Sequence, residues 1–403
     1  MAGGERFSHL PYLAIGRDIL CDLFGLKNMP LAASSLSRLF AKLTSWIRIE
    51  ILATRLWDYI FSWIPFAEIG ADWLDLDSSV ITRYGKQQGA LIGYNPTKKG
   101  RASHHPLLGF LSESRFVVNI WNRSGNCKSA NNVLDFFNET YGRLKDRLTF
   151  KGVRADSGFY VEDFLEKLEL LGLRYIIPAV LYRNLQRRIW NLETWTPIAK
   201  GYEATAFFFK PDDWTKERRY VVIRREINML KGRAVGKQLT FLDPKCKYTY
   251  SCFVTNDDTA PPEKIWRDYR PRACDENIIK EYKEDFALCG FCQKNFYATE
   301  AGMLIRALAL NLLSLFKREI LKQKNEFVEK LKTIRFKYFV IPAGRGTAQR
   351  QAVLRLSIPL QSLRQKMVRL LSQVSSYIPI IGSNCNAVGP PKSPVGEMLT
   401  PEH

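Results

Sequence analysis

Residues 148–180 read LTFKGVRADSGFYVEDFLEKLELLGLRYIIPAV. The opening LTFKGVRAD predicts a strand that ends on Asp156. FYVEDFLEKLELLGL carries apolar residues at helical spacing, and Gly172 closes the predicted helix. RYIIPAV predicts the next strand. The same grammar extends upstream. WLDLDSSVITRY at 73–84 alternates with period two and predicts a strand. GYNPTKKGRASHHP at 93–106 is dense in Gly, Pro, Asn and Lys and predicts a loop, with His104-His105 before Pro106 at an expected helix start. RFVVNIWN at 115–122 is a second strong strand, and SANNVLDFFNETYGRLKDRL at 129–148 a helix. Residues 73–180 therefore read β, β, α, β, α, β, an order that implies a mixed sheet with helices packed on it.

Further out the pattern changes. Before residue 70 apolar and basic positions alternate at helical spacing, most clearly in LSRLFAKLTSWIRIEILATRLWDYIF, which Ser34 or Ser35 would cap. Residues 181–256 carry aromatic and β-branched runs (TAFFF, RYVVIRREI, QLTFL, YTYSCFVT) between turn residues. They read as an all-β block inserted between two halves of an α/β domain. From Pro261 the chain is helical again, with a long apolar helix expected over Glu300 to Lys322. The end of the chain is rich in Pro, Gly and Ser and reads as a disordered tail. The boundaries implied are a helical region over 1–70, a first core segment over 71–180, the β-rich insertion over 181–258, a second core segment over 259–345, a helical region over 346–375 and the tail over 376–403.

Composition limits function. Sixty Lys and Arg stand against 40 Asp and Glu, a formal net charge of +20, which points to a polyanionic partner such as nucleic acid. Eight scattered cysteines fit a reducing compartment rather than a disulfide scaffold. Cys289-Gly-Phe-Cys292 is a lone CxxC pair, which falls short of the four ligands of a zinc site. Residues 302–316 contain Arg306 and fall short of a membrane span, so a buried helix is expected, with no membrane partner.

Three acids stand where metal-dependent chemistry needs them. Asp75 and Asp77 share one face of the first strand, Asp156 ends a later strand, and Glu276 lies on a predicted helix. Converging carboxylates can hold one or two Mg²⁺ ions and leave coordination positions for phosphate and water. Near Glu276, Tyr269, Arg272, Glu276 and Lys283 lie at i, i+3, i+7 and i+14. At about 100° per residue they form one polar stripe roughly 60° wide. Arg272 and Lys283 either contact phosphates or pair with Asp275 or Glu281. Pro271 belongs to the first helical turn, which puts Tyr269 just before the helix. Arg123 and Asn126 lie in a polar loop and are further candidates for DNA contact. So are Arg187-Arg188, Arg218-Arg219 and Arg224-Arg225 in the β block.

The spacing Tyr-(2)-Arg-(3)-Glu-(6)-Lys resembles the Tyr-Arg-Glu-Lys signature of bacterial insertion-sequence DDE transposases. LDLDSS around Asp77 and RADSGFY around Asp156 resemble that family's other two acidic motifs. GYNPTKKGRASHHPLLGF, NRSGNCKSANN and FYATEAGMLIRALALNLLSLFKR resemble one branch of it. The resemblance covers about residues 70–340. It implies an RNase H-like α/β core, a mostly β insertion between the second Asp and the Glu, and helical regions at both ends. It also implies Asp77, Asp156 and Glu276 as catalytic metal ligands, with Asp75 the rival to Asp77 on the same face. Tyr269, Arg272, Lys283, Arg123 and Asn126 become DNA contacts, and Mg²⁺ or Mn²⁺ the cofactor. The partners implied are terminal inverted repeats, target DNA and a second copy of the chain in the synaptic complex. The expected location is the cytoplasm, at the nucleoid when DNA-bound. Two other readings use the same residues: a transposase-derived DNA-binding protein without activity, and an RNase H-like nuclease acting on structured nucleic acid.

Overall fold

A computed structural model of the chain describes residues 6–13, 21, 27–28, 32–226, 241–242, 248–290, 293–323, 329–348 and 351–377. Its centre is a ten-stranded sheet. Strands β1 (Ala71–Ser78), β5 (Leu107–Leu111), β6 (Phe116–Trp121), β7 (Thr149–Arg154) and β8 (Tyr175–Pro178) stand in the order β6-β5-β1-β7-β8. β5 runs antiparallel to both of its neighbours, β6 and β1, while β1, β7 and β8 run parallel. That is the mixed sheet of an RNase H-like core. A small sheet of β2 (Ile81–Thr82), β3 (Leu91–Ile92) and β4 (Ala102–His104) is inserted between β1 and β5.

Alternation in β1 separates the two faces of the sheet. Leu74 and Leu76 are fully buried in the main core. That core also takes Phe136 and Phe137 from helix α3 (Val133–Leu144), and Phe164, Leu165 and Leu168 from α4 (Glu162–Leu170). Gly172, at φ +65°, follows α4 in the left-handed conformation that ends helices at little cost for glycine. Trp73 points to the other face and packs with Ile176, Val221, Phe253 and Ile265.

The N-terminal pattern folds as two helices, α1 (Ala33–Phe40) and α2 (Trp46–Trp63), not one. The chain is extended at Ser45, and the residue before α1 is Ala32, so neither Ser34 nor Ser35 is a cap. After Pro106 comes β5 rather than a helix. LLGFL is buried at every position, and a short continuous apolar run satisfies either element until its neighbours decide. The expected loop over 93–106 also contains β4.

Residues 181–258 hold helix α5 (Arg183–Trp190) besides β9 (Thr196–Ala199), β10 (Tyr202–Phe209), β11 (Arg218–Glu226), β12 (Phe241–Leu242) and β13 (Tyr248–Thr255). An all-β reading missed α5, whose Leu185 and Ile189 are buried one turn apart. β13 pairs antiparallel with β8, and β11, β10 and β9 follow it, so these strands continue the core sheet. Helices α6 (Pro262–Tyr269) and α7 (Ala273–Glu284) follow, with α6 on the Trp73 face.

Helix α8 (Phe296–Leu315), continued as a π-turn to Ile320, is apolar and long enough to span a membrane by composition. In the fold it is mostly buried and packs on α2 and β6. Its Asn311 accepts a hydrogen bond from Val117 N–H at 2.8 Å and donates to Val117 C=O at 2.7 Å. One side chain thus does for edge strand β6 what a neighbouring strand would do. Helix α9 (Gln361–Ser376) ends the described chain, and the tail expected over 376–403 lies almost wholly outside the described residues.

Helix α8 also holds Glu300, half-buried, beside Asn122. Burial, with Glu139 and Glu50 nearby, pushes its carboxyl up to about 8. Because the unfolded chain titrates near 4.5, the folded state binds the extra proton between about pH 4.5 and 8. Stability from this group is full below that window, declines through it and is flat above about pH 8. Glu300→Gln is therefore expected to flatten the fall in Tm between pH 6 and pH 9. Equal slopes for variant and parent would show that Glu300 does not titrate there.

Candidate active site

β1 presents Asp75 and Asp77 on one face, and the structure gives them different environments. Asp75 pairs in register with Arg154 on β7. Arg154 donates to both its oxygens, at 2.7 and 2.6 Å, and both side chains are 1% exposed. Ser112 Oγ at 2.7 Å and the carbonyl of Asp268 take further donors of the same guanidinium. A buried carboxylate held by a bidentate arginine is charge-compensated, with a lone pair on each oxygen engaged.

The same register places Asp77 and Asp156 two residues further along both chains. Asp77 is near the C-terminal end of β1, and Asp156 lies two residues past the C-terminal end of the neighbouring parallel strand β7. Such strand ends are where open α/β sheets collect ligands. Asp77 accepts from Ser78 N–H at 2.7 Å and faces Arg272 Nη2 at 3.3 Å. Burial pushes Asp77 up to about 6. Arg272 and Lys283 oppose that rise, and the charge of Asp156 adds to it. Asp156 is half-buried and caps the turn Ser157–Phe159 by accepting from Gly158 N–H at 2.8 Å.

Arg272 lies with Pro271 in the turn Arg270–Arg272 between α6 and α7, so Pro271 stands before α7 rather than in its first turn, and Tyr269 is the last residue of α6 rather than a residue outside a helix. Its guanidinium is buried and also donates to Leu76 C=O at 3.2 Å. Burial disfavours that charge, but Asp77, Tyr269, Asp156 and Asp75 outweigh it and hold the group above its ordinary value. Tyr269 donates to Ala155 C=O at 3.2 Å, and its phenol is pushed up to about 12, chiefly by burial. Glu276 follows Arg272 by one turn in α7, but its side chain lies outside the described residues. Lys283 is half-buried two turns further on.

A hydrogen-bonded chain links the two acidic strand ends. His105 Nδ1–H donates to Cys127 C=O at 2.7 Å, which leaves Nε2 to accept from Ser78 Oγ at 3.2 Å. Ser78 Oγ lies 2.7 Å from Ser129 Oγ. A Cβ on Gly158 would stand 2.5 Å from the Cβ of Ser129, so the 124–131 loop abuts the Asp156 turn. Burial keeps His105 below its usual range. Arg123 holds this loop from inside, donating Nε to His105 C=O at 2.9 Å and Nη1 to Lys128 C=O at 3.0 Å. Asn126 is exposed on the same loop.

Several other candidates serve the fold. Arg218 is buried against Glu169 and Glu162, and Arg219 donates to the carbonyls of Asp257 and Ala260. Arg224 pairs with Glu203 and stacks 4.2 Å over Trp195. His104 accepts from Arg83 Nε at 3.0 Å and donates to Gln88 C=O at 2.9 Å. Cys289 is exposed, and Cys292 lies outside the described residues. Among the described residues no three His, Cys, Asp or Glu side chains gather as a ligand set.

Residues 14–376 match the family described as Transposase DDE domain group 1. The chain belongs to that family. The DDE domain thus runs from before α1 to the end of α9 and includes β9–β13. No curated protein matches the chain. Among solved structures it is similar to the cryo-EM structure of a piggyBac transposase synaptic complex with hairpin DNA, at 12% identity and a TM-score of 0.40. The match covers 74% of this chain and 57% of that one, so the chain spans little more than half of that protein's length.

Sequence reasoning missed the Asp75–Arg154 pair and the His105–Ser78–Ser129 chain. A signal for the first was present: Asp75-Leu76-Asp77 and Arg154-Ala155-Asp156 carry charges at matching spacing on strands that pair in parallel.

Proposed function

We propose that the chain is a transposase of the bacterial insertion-sequence type, acting in the cytoplasm, which cleaves DNA at its element ends and joins the freed 3′-OH to target DNA. The observation that supports this best is that Asp77, at the end of β1, and Asp156, just past the end of the parallel strand β7, lie close enough for the charge of one to act on the other, beside the helix that carries Glu276. Hard carboxylate oxygens with a raised Asp77 suit a divalent cation, because a cation relieves the repulsion between them. Asp77, Asp156 and Glu276 would hold one or two Mg²⁺ or Mn²⁺ ions, which when bound supply Lewis-acid activation at phosphorus and lower the pKa of a water nucleophile.

The chain's own residues do the positioning. Arg272 fixes the Asp77 carboxylate by its contacts to Asp77 and Leu76. Tyr269 anchors α6 to Ala155, next to Asp156. Lys283 and the exposed Asn126 are the groups left to meet phosphate oxygens, while Arg123 acts by holding the loop that bears Asn126. Two copies of the chain would pair two element ends.

The test is cleavage of a labelled duplex taken from the repeats that flank the gene, with a salt titration of binding. Strand nicking at the repeat boundary is expected. Affinity is expected to fall roughly 10³–10⁵-fold between 50 and 200 mM salt if about 6–10 phosphates are neutralised. Binding without nicking would instead favour the inactive DNA-binding reading.

A further inference from the structure

The small sheet that leaves the site at the end of β1 has an unusual surface. Residues 78–112 contain no Asp or Glu, yet expose Lys86, Lys98, Lys99 and Arg101 and bury Arg83 beneath them. Large side chains stand out of this cationic unit: Tyr84 is 70% exposed, Tyr94 74%, Ile92 67% and Leu91 47%. The Lys98 ammonium sits 5.0 Å over the Tyr84 ring and bonds its hydroxyl. Exposed rings interleaved with cations suit a ligand that offers flat π-faces and phosphates together.

The unit is held in place. Asn95 is buried, donates to Thr82 Oγ1 at 3.0 Å and accepts from Lys98 N–H at 2.9 Å, which shapes the turn that carries Lys98. A Cβ on Gly93 would meet Gly125 C=O at 2.0 Å, and one on Gly125 would meet Leu91 C=O at 2.3 Å. The small sheet and the 124–131 loop therefore touch backbone to backbone, and Ser129 of that loop abuts the Asp156 turn. Exposed rings are thus tied through two loops to the acidic strand ends.

We propose that the β2–β4 unit is a stacking platform for unpaired DNA bases, with Tyr84 and Tyr94 taking the bases and Lys86, Lys98, Lys99 and Arg101 the phosphates of the same strand. This rests on the DNA-cleaving reading above and adds to it that the strand leaving the site is held single-stranded. Duplex DNA alone would meet the lysines but would leave the rings unused.

The experiment compares two probes by fluorescence anisotropy at one salt concentration: a blunt 20-base-pair duplex, and the same duplex with a ten-thymidine 3′ extension. Full-length protein is expected to prefer the extended probe. The double variant Tyr84→Ala/Tyr94→Ala is expected to lose that preference by about tenfold or more, since base–aromatic stacking is worth roughly 5- to 100-fold per base. Tyr84→Phe/Tyr94→Phe is expected to keep it, because stacking needs the ring and not the hydroxyl. Both tyrosines are exposed, so neither change should move Tm. An alanine variant with undiminished preference, a phenylalanine variant as impaired as alanine, or no preference in the parent would each overturn the platform while leaving duplex recognition standing. A parent chain that binds neither probe would overturn the DNA reading itself.

Discussion

Asp156→Asn and Asp77→Asn are each expected to cut strand cleavage by about 10³-fold or more while duplex affinity is kept, because losing one ion ligand removes several kcal/mol of transition-state stabilisation. Asp156 is the cleaner probe. An asparagine there still accepts from Gly158 N–H, so the turn keeps its cap. Asp77 faces the buried Arg272, so its variant also leaves that guanidinium with less compensation and is expected to lose some stability. Cleavage of a labelled duplex, read beside Tm for each variant, separates the two effects. Full cleavage by Asp156→Asn would remove that residue from the chemistry.

The largest effect on stability is expected at the other acid of β1. Asp75→Asn or Arg154→Met breaks a pair whose members are both 1% exposed. Removing one member of a buried pair leaves an uncompensated charge and typically costs about 3–5 kcal/mol. Arg154 also donates to Ser112 Oγ and to the carbonyl of Asp268, so its loss removes those hydrogen bonds as well. Urea denaturation should show a large drop in midpoint for Asp75→Asn and a smaller one for Asp77→Asn. Were Asp75→Asn as stable as the parent but unable to cleave, the catalytic role would belong to Asp75.

The sequence was most legible where period and environment agree. The strand–helix–strand pattern at 148–180 folds in the order read, because Val153, Phe164, Leu165, Leu168 and Ile177 face one core, although the first strand ends at Arg154 rather than Asp156. It was least legible where burial alone decides. LLGFL at 107–111 has no period to distinguish strand from helix, and only pairing with β1 and β6 makes it a strand. Charged residues were harder still. Arg218 and Arg219 look like solvent-facing cations in a basic chain, yet each is buried because glutamates or carbonyls meet it from distant segments. Nothing local records those partners. Two acids at i and i+2 on one strand are equivalent in sequence, and it is the arginine across the sheet that distinguishes Asp75 from Asp77.

The central claim is that Asp77, Asp156 and Glu276 form one cation site. Calorimetric titration of Mn²⁺ into the full-length protein and into Asp77→Asn, Asp156→Asn and Glu276→Gln tests it most directly. Saturable binding by the parent and at least about tenfold weaker binding by every variant are expected, since each side chain would contribute oxygen ligands to the same ion or ion pair. Glu276→Gln binding Mn²⁺ as tightly as the parent would contradict it.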